Sequence, residues 1–107
     1  MSRTLEQVIA LIDNEKVRIS AHGYDELSAD SITVRSIITG VRDAVIVEDY
    51  PEYGKGPAVL VRQWDDRGQP LHVLWGIPSG HSEPAVLVTA YRPDPRRWSE
   101  DFLRRMQ

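Results

Sequence analysis

Residues 44–92 read AVIVEDYPEYGKGPAVLVRQWDDRGQPLHVLWGIPSGHSEPAVLVTAYR, and this stretch decides the fold. Four short apolar runs recur in it: Ala44–Tyr50, Ala58–Trp64, Leu71–Ile77 and Ala85–Arg92. Each is rich in β-branched residues and bounded by proline, glycine or aspartate, the signature of strands between turns. The links Pro51–Pro57, Asp65–Pro70 and Pro78–Pro84 hold only 7, 6 and 7 residues. Links of this length join antiparallel neighbours, because a parallel crossover needs a dozen or more residues. Pro93 and Pro95 stop the last run, since proline cannot donate into a ladder. Four antiparallel strands in sequence order are therefore expected.

Upstream the period is helical. Thr4-Leu5-Glu6-Gln7 has the form of a capping box, and Leu5, Val8, Ile9 and Ile12 follow at helical spacing. Val17-Arg18-Ile19 is a short extended stretch. Ser20 is placed to cap a second helix from Ala21 to about Ser28, and Thr33 a third, with Gly40 at its C-terminal end. Ser99-Glu100-Asp101 is read as the start of a short C-terminal helix with Phe102, Leu103 and Met106 on its apolar side. The sum is one α+β domain over residues 1–107, with N-terminal helices packed on a four-stranded antiparallel sheet. Arg62, His72 and Arg92 interrupt the strands and are expected on a wet face of that sheet.

Composition limits the function. The chain has 107 residues, 16 acidic against 13 basic, for a net charge of -3, which argues against a protein that coats DNA. There is no cysteine, which removes disulfides, thiolate zinc sites and a thiol nucleophile and fits a cytoplasmic protein. No apolar run approaches the ~20 residues that span a bilayer, and no signal-like segment follows Met1, so no membrane partner is expected. Gly54-Lys55-Gly56 is too short for a P-loop, which excludes nucleotide hydrolysis of that kind.

The residues that can carry chemistry are few. His22 lies two positions after the capping Ser20, where the helix dipole favours a neutral imidazole, the form a general base needs. His72 alternates with Leu71 and Val73 and points to the face opposite them. Tyr91 can donate a proton or stack on a base, and Arg92 can hold a phosphate. Lys55, in its glycine-rich loop, is a further candidate phosphate contact. His22 and Glu26, four apart on a helix, form at most a partial metal pair without the second histidine of the H-E-x-x-H pattern, so no metal and no cofactor is expected.

The ordered set Ile19-Ser20-Ala21-His22, Val45–Pro51, Gly56-Pro57, Pro70–Trp75, Val88–Tyr91, Pro93-Asp94-Pro95 and Trp98 resembles the bacterial family called domain of unknown function 4258. That family looks like the RelE-type toxins of toxin–antitoxin pairs. The resemblance implies a RelE-like fold and a metal-independent endoribonuclease, in some members ribosome-dependent, with an antitoxin protein as partner and mRNA or tRNA as substrate. By that resemblance His22, His72 and Tyr91 would be its catalytic residues; in this chain Arg62 and Arg92 would stabilise the phosphoryl oxygens, and Lys55 would be a further contact to the substrate. The commoner family pattern carries arginines four and eight positions after the helix histidine, where this chain has Glu26 and Asp30.

Three readings follow. The first is an endoribonuclease in which the 2′-hydroxyl attacks the adjacent phosphodiester, so that DNA is inert. The second is a non-catalytic protein- or RNA-binding module, suggested by Glu26, Asp30 and the acidic balance. The third is a metal-dependent hydrolase using His22, Glu26 and His72.

Overall fold

The computed structural model describes residues 2–106. Its first helix, α1 (Arg3–Asp13), is capped by Ser2, whose Oγ accepts from the Leu5 N–H at 3.1 Å. Thr4 is already helical and buried, so the expected capping box is replaced by a cap two residues earlier. Leu5, Val8 and Ile12 form the buried stripe. After β1 (Val17–Ile19) comes α2 (Ala21–Ala29). Its cap, Ser20, works in both directions: Oγ accepts from Gly23 N–H at 2.9 Å and donates to the Val88 carbonyl at 2.9 Å. A Cβ at Gly23 would stand 2.9 Å from the Leu87 carbonyl oxygen, so glycine sets how closely α2 approaches the sheet.

Helix α3 (Val34–Gly40) is capped by Thr33, whose Oγ1 accepts from Ser36 N–H at 3.1 Å. Gly40 has φ of -85° and runs straight into a 3-10 turn over Val41–Asp43, so it is not the left-handed cap that its type suggests. Four strands follow: β2 (Val45–Tyr50), β3 (Ala58–Trp64), β4 (Pro70–Gly76) and β5 (Ala85–Tyr91). They pair antiparallel in sequence order.

The sheet nevertheless has five strands, in the order β1-β5-β4-β3-β2. Val17, Arg18 and Ile19 pair in parallel with Ala85, Val86 and Leu87. This mixed sheet overturns the four-stranded antiparallel, RelE-like arrangement expected from the sequence. A three-residue strand shows no alternation of its own, and its partner lies more than sixty positions away.

The C-terminal helix is also absent. Residues 97–106 instead fold back on themselves, with Trp98 bridging Arg105. Ser99 N–H donates to the Arg104 carbonyl at 2.8 Å, and Met106 N–H to Arg97 at 2.7 Å. The Asp101 carboxylate accepts from Ser99 Oγ at 2.6 Å and from Leu103 N–H at 3.1 Å. These local side-chain bonds compete with helix formation. Phe102, at φ +61°, breaks any helical run outright.

All three helices cover one face of the sheet. There Val59, Val61, Leu71, Val73, Trp75 and Leu87 meet Val8, Leu27 and Ile37, all nearly or fully buried. Each large side chain of this kind contributes about 1.5–3 kcal/mol by its burial. One polar group sits among them: Gln63, fully buried, donates to the Ile37 carbonyl at 2.9 Å and accepts from Trp75 Nε1 at 3.2 Å.

A bulge decides what the opposite face carries. Leu74 pairs with Thr89 but Trp75 with Leu87, so Val88 is an extra residue in β5. The extra residue shifts the alternation by one. Leu87 and Ala90 thereby both reach the core, and Tyr91 turns to the face that carries His72.

Candidate functional site

The sheet face away from the helices is divided in two. Its open part is a groove of about 710 Å³. Leu60, Leu74, Val86 and Val88 make an apolar floor. Tyr50, Tyr53 and Lys55 stand on one side, and Arg18, Thr89 and Tyr91 on the other. Among the described residues, Arg18 and Lys55 form no ion pair.

The Lys55 loop is fixed to the next one. Ser79 N–H donates to the Lys55 carbonyl at 3.1 Å and Ile77 N–H to Pro57 at 3.0 Å. Gly56 permits this approach: its φ is +118°, and a Cβ there would lie 1.9 Å from the Ile77 oxygen. Tyr50 donates to the Glu48 carboxylate, and that bond, helped by burial and the Glu48 charge, pushes its hydroxyl up to about 12. It is a neutral aromatic wall.

The other part of the face is covered by residues 97–106. Beneath them lies His72, fully buried, with Trp98 edge-on to its ring at 4.4 Å. His72 Nε2 is 2.8 Å from the Phe102 carbonyl and Nδ1 is 3.1 Å from the Tyr91 hydroxyl. A carbonyl only accepts, so Nε2 carries the proton and Nδ1 accepts from Tyr91. Burial, and to a lesser degree the Arg62 charge, hold the imidazole below its ordinary value against the opposing Phe102 bond. Burial also raises the Tyr91 hydroxyl. Both groups are neutral near pH 7.

Arg62 is the neighbour of His72 across β3 and β4. Only 8% of it is exposed. Its guanidinium stacks over Trp64 at 4.6 Å and donates to the Asp101 carbonyl at 2.8 Å, while Nε has no partner. The expectation that Arg62 and His72 lie on a wet face is thus corrected: they face away from the core but are roofed by the C-terminal segment. That contact is made by main-chain carbonyls, which leave no residue signature.

The remaining candidates lie apart. His22 is exposed on α2, 3.6 Å from Glu26 Oε1, and lines no part of the groove. Arg92 is held by Asp65 at 3.0 Å and by the Asp30 carbonyl at 3.4 Å, tying the β3–β4 loop to the end of α2. Asp65 would be raised by its burial, but the Gln69 and Arg67 N–H groups, with Arg92, outweigh this and hold it below the usual range. Among the described residues, no three His, Asp or Glu side chains converge as a metal site. No described helix is long and apolar enough to cross a membrane.

The structure therefore joins His72, Tyr91 and Arg62 and sets Lys55 at the groove, with His22 and Arg92 elsewhere. Arg18, Tyr50, Tyr53 and Thr89 were not singled out from the sequence. Arg18 was passed over because the pairing that brings Val17–Ile19 onto the sheet was not foreseen, and the two tyrosines because they lie at a strand end among acidic residues.

An α+β domain with helices on one face of a mixed sheet and a groove on the other is the class defined by this geometry. Residues 19–92 match the family described as Domain of unknown function (DUF4258), and the chain belongs to that family. The match ends at Arg92, before the segment that roofs His72. The chain matches no curated protein and no solved structure.

Proposed function

We propose that the protein binds single-stranded RNA in the open groove of its sheet. One observation carries this reading: Tyr50, Tyr53 and Tyr91 surround an apolar floor beside the unpaired cations Arg18 and Lys55. Bases stack on aromatic rings whatever their identity, while cations track the backbone. The Thr89 and Tyr91 hydroxyls offer partners for a ribose 2′-hydroxyl, the group that separates RNA from DNA. The acidic balance of the chain confines nucleic acid to this local site. Cytoplasmic mRNA or tRNA would be the source of the strand.

Fluorescence anisotropy with a labelled RNA oligonucleotide and its DNA counterpart, at low salt, tests this. RNA should bind more tightly than DNA, and Tyr53→Ala should weaken both. A folded protein that leaves RNA unbound at low salt overturns the reading.

The Tyr91–His72 hydrogen bond supports a second reading, a metal-independent endoribonuclease of toxin type. The Tyr91 oxygen would accept the 2′-hydroxyl proton while its own proton passes to His72 Nδ1. The 2′-oxygen would attack phosphorus and break the bond to the 5′-oxygen, which takes a proton from water. The products are a 2′,3′-cyclic phosphate and a 5′-hydroxyl. Charging a buried imidazole beside Arg62 opposes this step, so binding without cleavage is the leading reading. A toxin would also need an antitoxin protein as partner. Growth arrest on induced expression, lost in Tyr91→Phe, with cyclic phosphate ends on cellular RNA, would favour cleavage and includes any dependence on the ribosome. No arrest at good expression would remove it.

A further inference from the structure

The segment that roofs Arg62 and His72 is held by few polar contacts and by two aromatic ones, the buried Trp98 edge-on to His72 at 4.4 Å and Phe102 edge-on to Trp64 at 6.4 Å. Among the described residues of 97–106, only two hydrogen bonds reach the sheet, from Arg62 to the Asp101 carbonyl and from His72 to the Phe102 carbonyl, both 2.8 Å. Its other backbone bonds close on itself or on Asp94. Displacing it as one piece would uncover Trp98 but break no hydrogen bond between strands.

The two carbonyls are also incomplete partners. They are consecutive, and they place two acceptor oxygens over two donors of the sheet. A guanidinium offers five N–H groups in a fixed fork, which suits paired oxyanion oxygens better than a single carbonyl. Arg62 shows the deficit directly, since its Nε is buried with no acceptor. Phe102, which supplies the second carbonyl, sits at φ +61°, a conformation that L side chains rarely adopt. A buried donor without a partner and a strained residue thus stand at two adjacent contacts, Arg62 to Asp101 and His72 to Phe102.

We propose that residues 97–106 form a displaceable strap over a phosphate-binding pocket made by Arg62 and His72, and that a backbone phosphate of a bound RNA strand replaces the strap's two carbonyl oxygens. Tyr91 connects the two halves of the face, since it lines the groove and bonds to His72. A phosphate at Arg62 would fill the vacant position at Nε and release Phe102 from its strain. The source of the phosphate rests on the RNA reading above; the pocket itself does not.

The test is a nuclear magnetic resonance titration of the full chain, following the Arg62 Nε–H and His72 Nε2–H signals. The probes are inorganic phosphate and, separately, a short RNA oligonucleotide. Phosphate should shift these two signals and speed amide exchange at Ser99, Arg104 and Met106 several-fold, with β3 and β4 unchanged. Phe102→Ala loses the ring on Trp64 and keeps the strain, so its phosphate affinity should rise about tenfold. Phe102→Gly loses the ring but also the strain, and should gain less. Arg62→Met should abolish the effect.

Unchanged strap exchange in the wild type at saturating phosphate overturns the proposal, whether or not the variants fold. Phosphate shifts confined to other residues do the same. Shifts with phosphate but not with the oligonucleotide overturn the strand as the source. Tight RNA binding that leaves Arg62 undisturbed overturns the strap and leaves the groove reading standing.

Discussion

The Tyr91 hydroxyl donates to Nδ1 of His72, a histidine with no exposed surface whose other nitrogen is committed to a main-chain carbonyl. Tyr91→Phe removes that donor and leaves Nδ1 buried without a partner. An orphaned buried acceptor costs about 1–3 kcal/mol. Urea unfolding at pH 7 should show a loss in this range with an unchanged slope. A neutral result would mean that water replaces the hydroxyl.

The same histidine gives a pH dependence. Its folded value lies below its ordinary one, so the unfolded chain takes up a proton that the folded chain refuses. The contribution is whole above the unfolded value of about 6.5 and is lost as pH falls from there toward the lower folded value. His72→Gln should flatten the stability profile between about pH 7 and the acid side of this window. Parallel profiles for the variant and the wild type would assign the dependence to other groups.

Gln63 joins two elements through the core. Gln63→Leu leaves both the Ile37 carbonyl and the Trp75 indole N–H without their partner. A combined loss of ~2–5 kcal/mol is expected, more than for removal of either bond alone. Trp75→Phe in the Gln63→Leu background removes one of the orphans, so a double-mutant cycle should show strong coupling. Additive losses would place the cost elsewhere.

These residues also mark what the sequence discloses. Gln63 was not singled out, although it follows Val59 and Val61 at the period of two and so shares their buried face. The helix caps at Ser20 and Thr33, and four strands of the sheet, follow from local chemistry. The extended stretch of β1 was legible too, but not its parallel pairing with β5, because three residues carry no period. The bulge at Val88 adds no special residue, yet it alone turns Tyr91 toward His72. The roof over Arg62 was hidden for a different reason. Phe102, Leu103 and Met106 have helical spacing, and the Asp101 side chain, bonded to Ser99 and Leu103, decides against it.

Two glycines of one loop should behave oppositely. Gly56→Ala adds a Cβ against the Ile77 backbone oxygen at a φ of +118°, so the loop must move. Gly54→Ala meets nothing within 4 Å and has no left-handed φ. Gly56→Ala should lower stability by more than ~1 kcal/mol and displace Lys55 from the groove, while Gly54→Ala should fall within about 0.5 kcal/mol of wild type. Thermal unfolding of the pair decides it, since equal effects would mean that the contact to Ile77 does not hold the loop.

Salt dependence separates the cations of the groove from the rest of the basic residues. Each phosphate neutralised on a single strand adds about -0.7 to the slope of log affinity against log salt. Arg18→Ala and Lys55→Ala should each reduce the slope by ~0.7, and together by about twice that, because the two stand on opposite sides of the groove. Arg42 is an internal control: its guanidinium already pairs with Asp13, 2.5 Å away on the helix side. Arg42→Ala should leave the slope as it is. If it flattens the slope as much as Lys55→Ala does, the RNA lies on the helices, and the groove is not its site.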